Sequence, residues 1–177
     1  MLEQVIAIAE RCIVVPVLGN HEEMLLAALE GLSDLRYWLK FGGTEALASY
    51  GYIGQDISPA GLRDMIPREH VRFMKGCRDF FETSHHIFVH AYYDPDQPLH
   101  ESYWAGLRWL SLPSVPLPHC SGKVAIVGHT PQRSGEILEL GCVKCIDTFC
   151  FGGGWLTALE ISTGNVWQAN MAGELRR

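Results

Sequence analysis

Three short stretches of this chain end an apolar run on a nitrogen or oxygen donor. Val14–Leu18 leads into Gly19-Asn20-His21-Glu22, Ile87-Phe88-Val89 leads into His90, and Val124–Val127 leads into Gly128-His129-Thr130. Each run reads as a buried strand, and ligands of open α/β sheets gather at the carboxyl ends of strands. If the three strands share one sheet and one direction, Asn20, His90 and His129 converge on one rim. An amide oxygen with two imidazoles is a half-shell suited to Mn²⁺, Fe or Zn²⁺. His21, next to the amide, is placed for proton transfer. The plainer reading of Asn20 is a helix N-cap, with Glu23 three residues on as half of a capping box. A single strand-end histidine is more often a hydrogen-bonded core residue, whereas three donors at matching strand ends favour a site.

The elements that must position these groups follow from the pattern. Residues 2–12 carry a helical stripe at Val5, Ile6, Ala9 and Cys12. Ile13–Leu18 is the expected first strand, and residues 21–31 the second helix, stopped at Gly31. Residues 33–82 read as an all-helical insert covering one side of the sheet. In it Asp34 or Ser33 caps Leu35–Phe41, Gly42-Gly43 breaks that helix, and Thr44–Tyr50 is short. Gly51 through Ser58 is a loop, Pro59–Met65 a short helix, and Pro67 opens a longer helix with Val71, Met74, Phe80 and Phe81 on its apolar side. His85–Val89 and Val124–Val127 are strands. Between them lie the loop Tyr92–His100, a helix over Glu101–Leu110 and the proline-rich stretch Pro113–Ser121. Ile137–Leu140, Val143–Asp147, Trp155–Ile161 and Val166–Ala169 have β composition, the last two forming a hairpin about Thr163-Gly164-Asn165. The triple glycine 152–154 lacks the lysine and helix of a phosphate-cradling loop.

Bulk properties narrow the class. The 177 residues suffice for one domain with its own core, and the net charge of −6 disfavours a general nucleic-acid binder, which needs a basic face. No apolar run approaches membrane-spanning length, and Met1 is not followed by a basic-then-apolar leader, so a cytoplasmic home is expected. The six cysteines sit mostly among apolar neighbours, as reduced thiols do. Cys142 and Cys145 form a CxxC with Cys150 nearby, and a zinc site there would need Cys120 or His119 as well. A strand over Val143–Asp147 would point Cys142 and Cys145 to opposite faces, which favours buried thiols.

The combination of Gly19-Asn20-His21-Glu22, a lone His90 after a strand and Gly128-His129-Thr130 resembles the phosphoprotein phosphatases. These are calcineurin-like metallophosphoesterases, and the likeness is to the branch of bacterial and phage serine/threonine phosphatases. It runs from about residue 12 to 169 and takes in Cys145-Ile146-Asp147-Thr148 and Gly154–Leu159. The resemblance implies an incomplete α/β calcineurin-like αββα sandwich in one domain, 1–177, lacking its N-terminal strands and carrying the helical insert at about 33–82. It implies that Asn20, His90 and His129 ligate one of two divalent ions, Mn²⁺ first, with Fe or Zn²⁺ as alternatives. His21 would protonate the departing alkoxide, and Glu22 would orient its neighbours. Arg108, near Trp104 and Trp109, is a candidate for gripping phosphate, with pairing on the helix surface the favoured role and Arg133 holding a weaker claim. The implied reaction is one-step hydrolysis by a hydroxide bridging the ions, on a phosphorylated protein or a small phosphoester, with a dinucleoside polyphosphate as the alternative substrate. The family's GDxHG and GDxxDRG motifs, which supply the other ion's ligands and the bridging Asp, are not found here. A truncated reading frame, an internal start or a fragment is therefore expected, and with it a second possibility: a non-catalytic remnant that binds at most one metal.

Overall fold

The computed structural model describes residues 1–54 and 57–176. Of the expected loop Gly51–Ser58, positions 55 and 56 lie outside the described residues. The chain divides into two compact units, Met1–Arg78 and Asp79–Arg177.

The first unit is helical: α1 (Leu2–Ala9), α2 (Asn20–Glu30), α3 (Leu35–Trp38), α4 (Thr44–Ala48), α5 (Pro59–Met65) and α6 (Arg68–Lys75). Helix α2 buries Met24, Leu25, Ala28 and Leu29 along one face and packs on α3, α5 and α6. It ends on Gly31 at φ 74°, where Gly31 N–H donates to the Ala28 carbonyl at 3.1 Å and Leu32 N–H to that of Ala27 at 2.8 Å. This paired closure needs a left-handed residue, which glycine adopts without a Cβ clash. Asp34 caps α3 through Arg36 N–H at 2.9 Å. The next turn widens over Leu39–Gly43 and kinks where Phe41 and Gly42 leave helical geometry, at the expected Gly-Gly break.

Two expectations fail in this unit. Ile13–Leu18 is not a regular strand. Only Val17 forms a bridge, parallel to Arg78, with Leu18 N–H on the Arg78 carbonyl at 2.8 Å and Arg78 N–H on that of Pro16 at 2.9 Å. Pro16 has no N–H to extend the ladder, and Ile13 is 95% exposed, so the apolar run lacks the burial that would fix it. The cap of α2 is Gly19 rather than Asn20: Glu22 Oε2 accepts from Gly19 N–H at 3.2 Å, and Asn20 is the first helical residue. Glu22, not Glu23, therefore makes the return bond to the cap.

Cys77 follows α6, its thiol donating to the Phe73 carbonyl at 3.6 Å. Burial, with a smaller contribution from the charge of Glu22, pushes this thiol up to about 11 from an ordinary value of 9.0. At pH 8 Cys77 is expected to react with iodoacetamide roughly a hundredfold more slowly than a free cysteine thiol, because only the thiolate attacks. The folded chain keeps the proton that the unfolded chain gives up first. The thiol's contribution to stability is thus whole below pH 9 and declines as pH rises toward 11. Alkylation rates mapped by mass spectrometry, and denaturation midpoints across that window, check both statements.

The second unit is built on a mixed sheet of order β1-β2-β3-β5-β4. Its strands are β1 (Phe80–Glu82), β2 (His86–Val89), β3 (Val124–Val127), β4 (Leu138–Glu139) and β5 (Val143–Cys145). Strands β2, β3 and β5 are parallel, with Phe88 opposite Ile126 and Val127 opposite Cys145, while β1 and β4 are antiparallel edges. Helix α7 (Trp104–Trp109) comes between β2 and β3. The core joins Ile87, Val89, Ala125, Val127 and Val143 to Tyr93, Leu99 and Leu107. Strands β6 (Leu156–Leu159) and β7 (Val166–Ala169) pair antiparallel as the expected hairpin. Its turn closes through Glu160 N–H on the Asn165 carbonyl at 2.9 Å, with Gly164 at φ 79°. Hydroxyls of Thr163 and Ser162 and the Asn165 amide converge on the Glu160 carboxylate, which holds it below its ordinary range.

A third expectation fails here: Phe80 and Phe81 do not continue the helix opened by Pro67. Helix α6 stops at Lys75, and Phe80–Glu82 pairs with Ile87–Val89. Partnership across the sheet overrides the helical spacing of the aromatic residues. Cys145 is fully buried and its thiol donates to the Thr130 carbonyl at 3.4 Å, whereas Cys142 donates to that of Pro116 at 3.7 Å.

Candidate functional site

The parallel pairing of β2 with β3 carries His90 and Gly128-His129 to the same edge of the sheet. There Gly128 N–H donates to the His90 carbonyl at 2.9 Å, and a Cβ at Gly128 would lie 3.3 Å from that oxygen, so the close approach favours glycine. The two imidazoles stand 5.2 Å apart between ring centres, inclined at 63°. His129 sits at φ 60°, in the left-handed region, at the apex of a turn closed by Thr130 N–H on the Gly128 carbonyl at 2.6 Å. Such a conformation costs a side-chain-bearing residue about 1–2 kcal/mol and persists where the surroundings over-determine it.

The surroundings do so through α7. Ala91 N–H donates to the Leu107 carbonyl at 2.8 Å, His129 Nε2 to the Trp109 carbonyl at 3.1 Å, and Leu112 N–H to the Thr130 hydroxyl at 2.8 Å. A carbonyl can only accept, so Nε2 of His129 carries a hydrogen. Gln132 reaches back to the Thr130 carbonyl at 2.7 Å. Neither the Trp109 carbonyl nor the Thr130 hydroxyl stood out in the sequence. A main-chain acceptor leaves no compositional trace, and Thr130 was legible only as part of the motif.

On the first unit, Asn20, His21 and Glu22 share the N-terminal turn of α2. Asn20 is buried at 7% exposure, and His21 lines a cavity of about 310 Å³ with Glu22 beside it. Among the described residues the sheet thus joins His90 to His129, and α2 joins Asn20, His21 and Glu22. The guanidinium of Arg108 is mostly buried, takes Asp79 as its carboxylate partner through Nε at 3.1 Å and through Nη2, and lies 5.1 Å over the Trp104 ring. Arg133 stacks 5.8 Å over Phe149.

The donor set bears on what could be held. A metal-ligating histidine commonly gives one ring N–H to a backbone carbonyl. His129 makes such a bond, to the Trp109 carbonyl. Among the described residues no group of three or more His, Cys, Asp or Glu is arranged to hold an ion.

No protein-family model matches the sequence, and no curated protein matches it. Among solved structures it is similar to a crystal structure described as a "putative diadenosine tetraphosphatase". The TM-score is 0.62 and the identity 16%, over 88% of this chain and 68% of that one. This is a likeness of fold, and it agrees with the α/β architecture expected from the sequence. No helix among the described residues is long and apolar enough to cross a membrane.

Proposed function

We propose that this chain, as it stands, is a non-catalytic portion of a calcineurin-like phosphoesterase fold that takes up at most one divalent cation. The observation that carries this reading is the pairing of His90 with His129 at one sheet edge, without any third acidic, thiol or imidazole donor completing a group there among the described residues. Asn20, in the first turn of α2, is the third ligand that the resemblance names. A bound cation would supply Lewis acidity toward a phosphoryl oxygen. The chain's own residues would do the rest: Trp109 and Thr130 hold His129 in place, and Glu22 fixes the turn from which His21 projects. Two imidazoles and an amide cannot also bind and orient a second ion, so in-line hydrolysis would need acidic ligands beyond this set.

The fold likeness favours a second reading, that of a working phosphoester hydrolase. It would act on phosphoserine or phosphothreonine, or on a dinucleoside polyphosphate, with His21 as the acid and Arg108 on the phosphate. Calorimetric titration with Mn²⁺, alongside release of p-nitrophenolate from p-nitrophenyl phosphate, separates the two. The expected result is one ion or fewer per chain and no turnover above the blank with ion alone. Two tightly held ions, or turnover lost in His21→Ala, would overturn the first reading in favour of the second.

A further inference from the structure

In the loop that leads into β3, residues 119–122 make a tight turn. It is closed by Gly122 N–H on the His119 carbonyl at 2.8 Å, with Gly122 at φ 70°. The turn buries His119, which is 3% exposed, and leaves Ser121 at the surface.

The imidazole of His119 is engaged at both nitrogens. Nε2 lies 3.0 Å from the Gln97 carbonyl, and a carbonyl can only accept, so Nε2 carries a hydrogen. Nδ1 accepts the Ser121 backbone N–H at 3.1 Å, so Nδ1 carries a lone pair. The two partners independently select the same tautomer of the neutral ring. The Ser121 hydroxyl stands 2.7 Å from that same Nδ1. A nitrogen without a hydrogen can only accept, so the serine O–H is directed onto the imidazole. The neighbouring loop fixes this arrangement: Cys120 N–H donates to the Pro95 carbonyl at 2.7 Å, and the buried Tyr93 ring meets His119 edge-on, with centres 5.3 Å apart at 87°.

An exposed hydroxyl within hydrogen-bond reach of a base, with the base oriented by a third group, is the arrangement of an activated nucleophile. We propose that Ser121 is a nucleophile for acyl transfer, with His119 as its base and the Gln97 carbonyl as the group that orients the base. In the step, Ser121 Oγ bonds to the ester carbonyl carbon while Nδ1 takes the hydroxyl proton. The bond from that carbon to the alcohol oxygen breaks, and the electron pair leaves with the oxygen. Nδ1 then yields its proton to solvent, giving acyl-Ser121 and a free phenolate. The pair supplies attack and proton removal, so the ester must bring its own good leaving group, and the substrate class is an activated aryl ester. The site does not depend on the imidazole pair of His90 and His129 or on its reading.

The test treats the full chain with p-nitrophenyl acetate in the presence of a chelator and follows acetylation residue by residue by mass spectrometry. Ser114, also exposed, serves as the comparison within the same chain. Ser121 is expected to be acetylated at least roughly tenfold faster than Ser114, a modest share of what a positioned base contributes. His119→Asn offers the Ser121 N–H an acceptor but no base, and should bring Ser121 down to the rate of Ser114. Equal rates at Ser121 and Ser114 in the native chain would overturn the proposal, as would an undiminished Ser121 rate in a folded His119→Asn. Should that variant not fold, the ratio of the two serines in the native chain still decides.

Discussion

Gly154→Ala is expected to destabilise the second unit by about 3 kcal/mol or more, the range of backbone clashes that cannot relax. A Cβ at this position would lie 2.1 Å from the Thr148 carbonyl oxygen and 2.9 Å from that of Phe149. Both oxygens are already committed. The Phe149 carbonyl accepts from Gly154 N–H at 2.8 Å, and that of Thr148 accepts from Trp155 N–H at 2.9 Å. The buried Thr148 hydroxyl ties the same loop to the Trp155 carbonyl at 2.6 Å. Moving the backbone enough to admit a methyl group would break several of these bonds together. Gly152 provides the comparison. A Cβ there would meet the Phe149 ring at 2.0 Å, a closer contact, but with a side chain that can rotate. Gly152→Ala should therefore cost distinctly less. Urea midpoints of the two variants decide the matter: equal losses would mean that the loop yields as a whole, and the account of a pinned carbonyl would fail.

The second large effect is expected at His129. His129→Ala and His129→Gly both delete the imidazole, and each should weaken cation uptake roughly a hundredfold or more. They should differ in stability. At φ 60° alanine carries the left-handed penalty and glycine does not, so the glycine variant should be the more stable by about 1 kcal/mol. Calorimetric titration with Mn²⁺ gives the first quantity and chemical denaturation the second. If alanine were as stable as glycine, the turn would not be strained. If neither substitution changed cation uptake, the imidazole pair would not be the site.

The sequence was a good guide where one signal was enough. Strands β2 and β3 stand out because apolar runs of three and four residues stop abruptly at a histidine or at Gly-His, and the hairpin because Thr163-Gly164-Asn165 offers both a left-handed glycine and local hydrogen bonds. It was a poor guide where the outcome depends on a distant partner. Ile13–Leu18 has strand composition, but Pro16 interrupts its donors and Ile13 finds no cover. Phe80 and Phe81 fall at helical spacing from Val71 and Met74, and only pairing with β2 makes them a strand. The boundary of α2 shifted by one residue because Gly19 and Asn20 are both acceptable caps, and the Glu22 carboxylate reaches the former. The donors of the candidate site were legible as side chains. The groups that orient His129 were not, since they are a carbonyl at the end of a six-residue helix and a hydroxyl serving a loop amide.

The bond from His129 to the end of α7 also bears on timing. Under the proposal, the ring that would receive a cation is already oriented by its Nε2–H on the Trp109 carbonyl, so no reorientation need precede capture. Whatever loosens the last turn of α7 would release that orientation. Departures from fast uptake should then report on that short helix before they report on the histidines themselves.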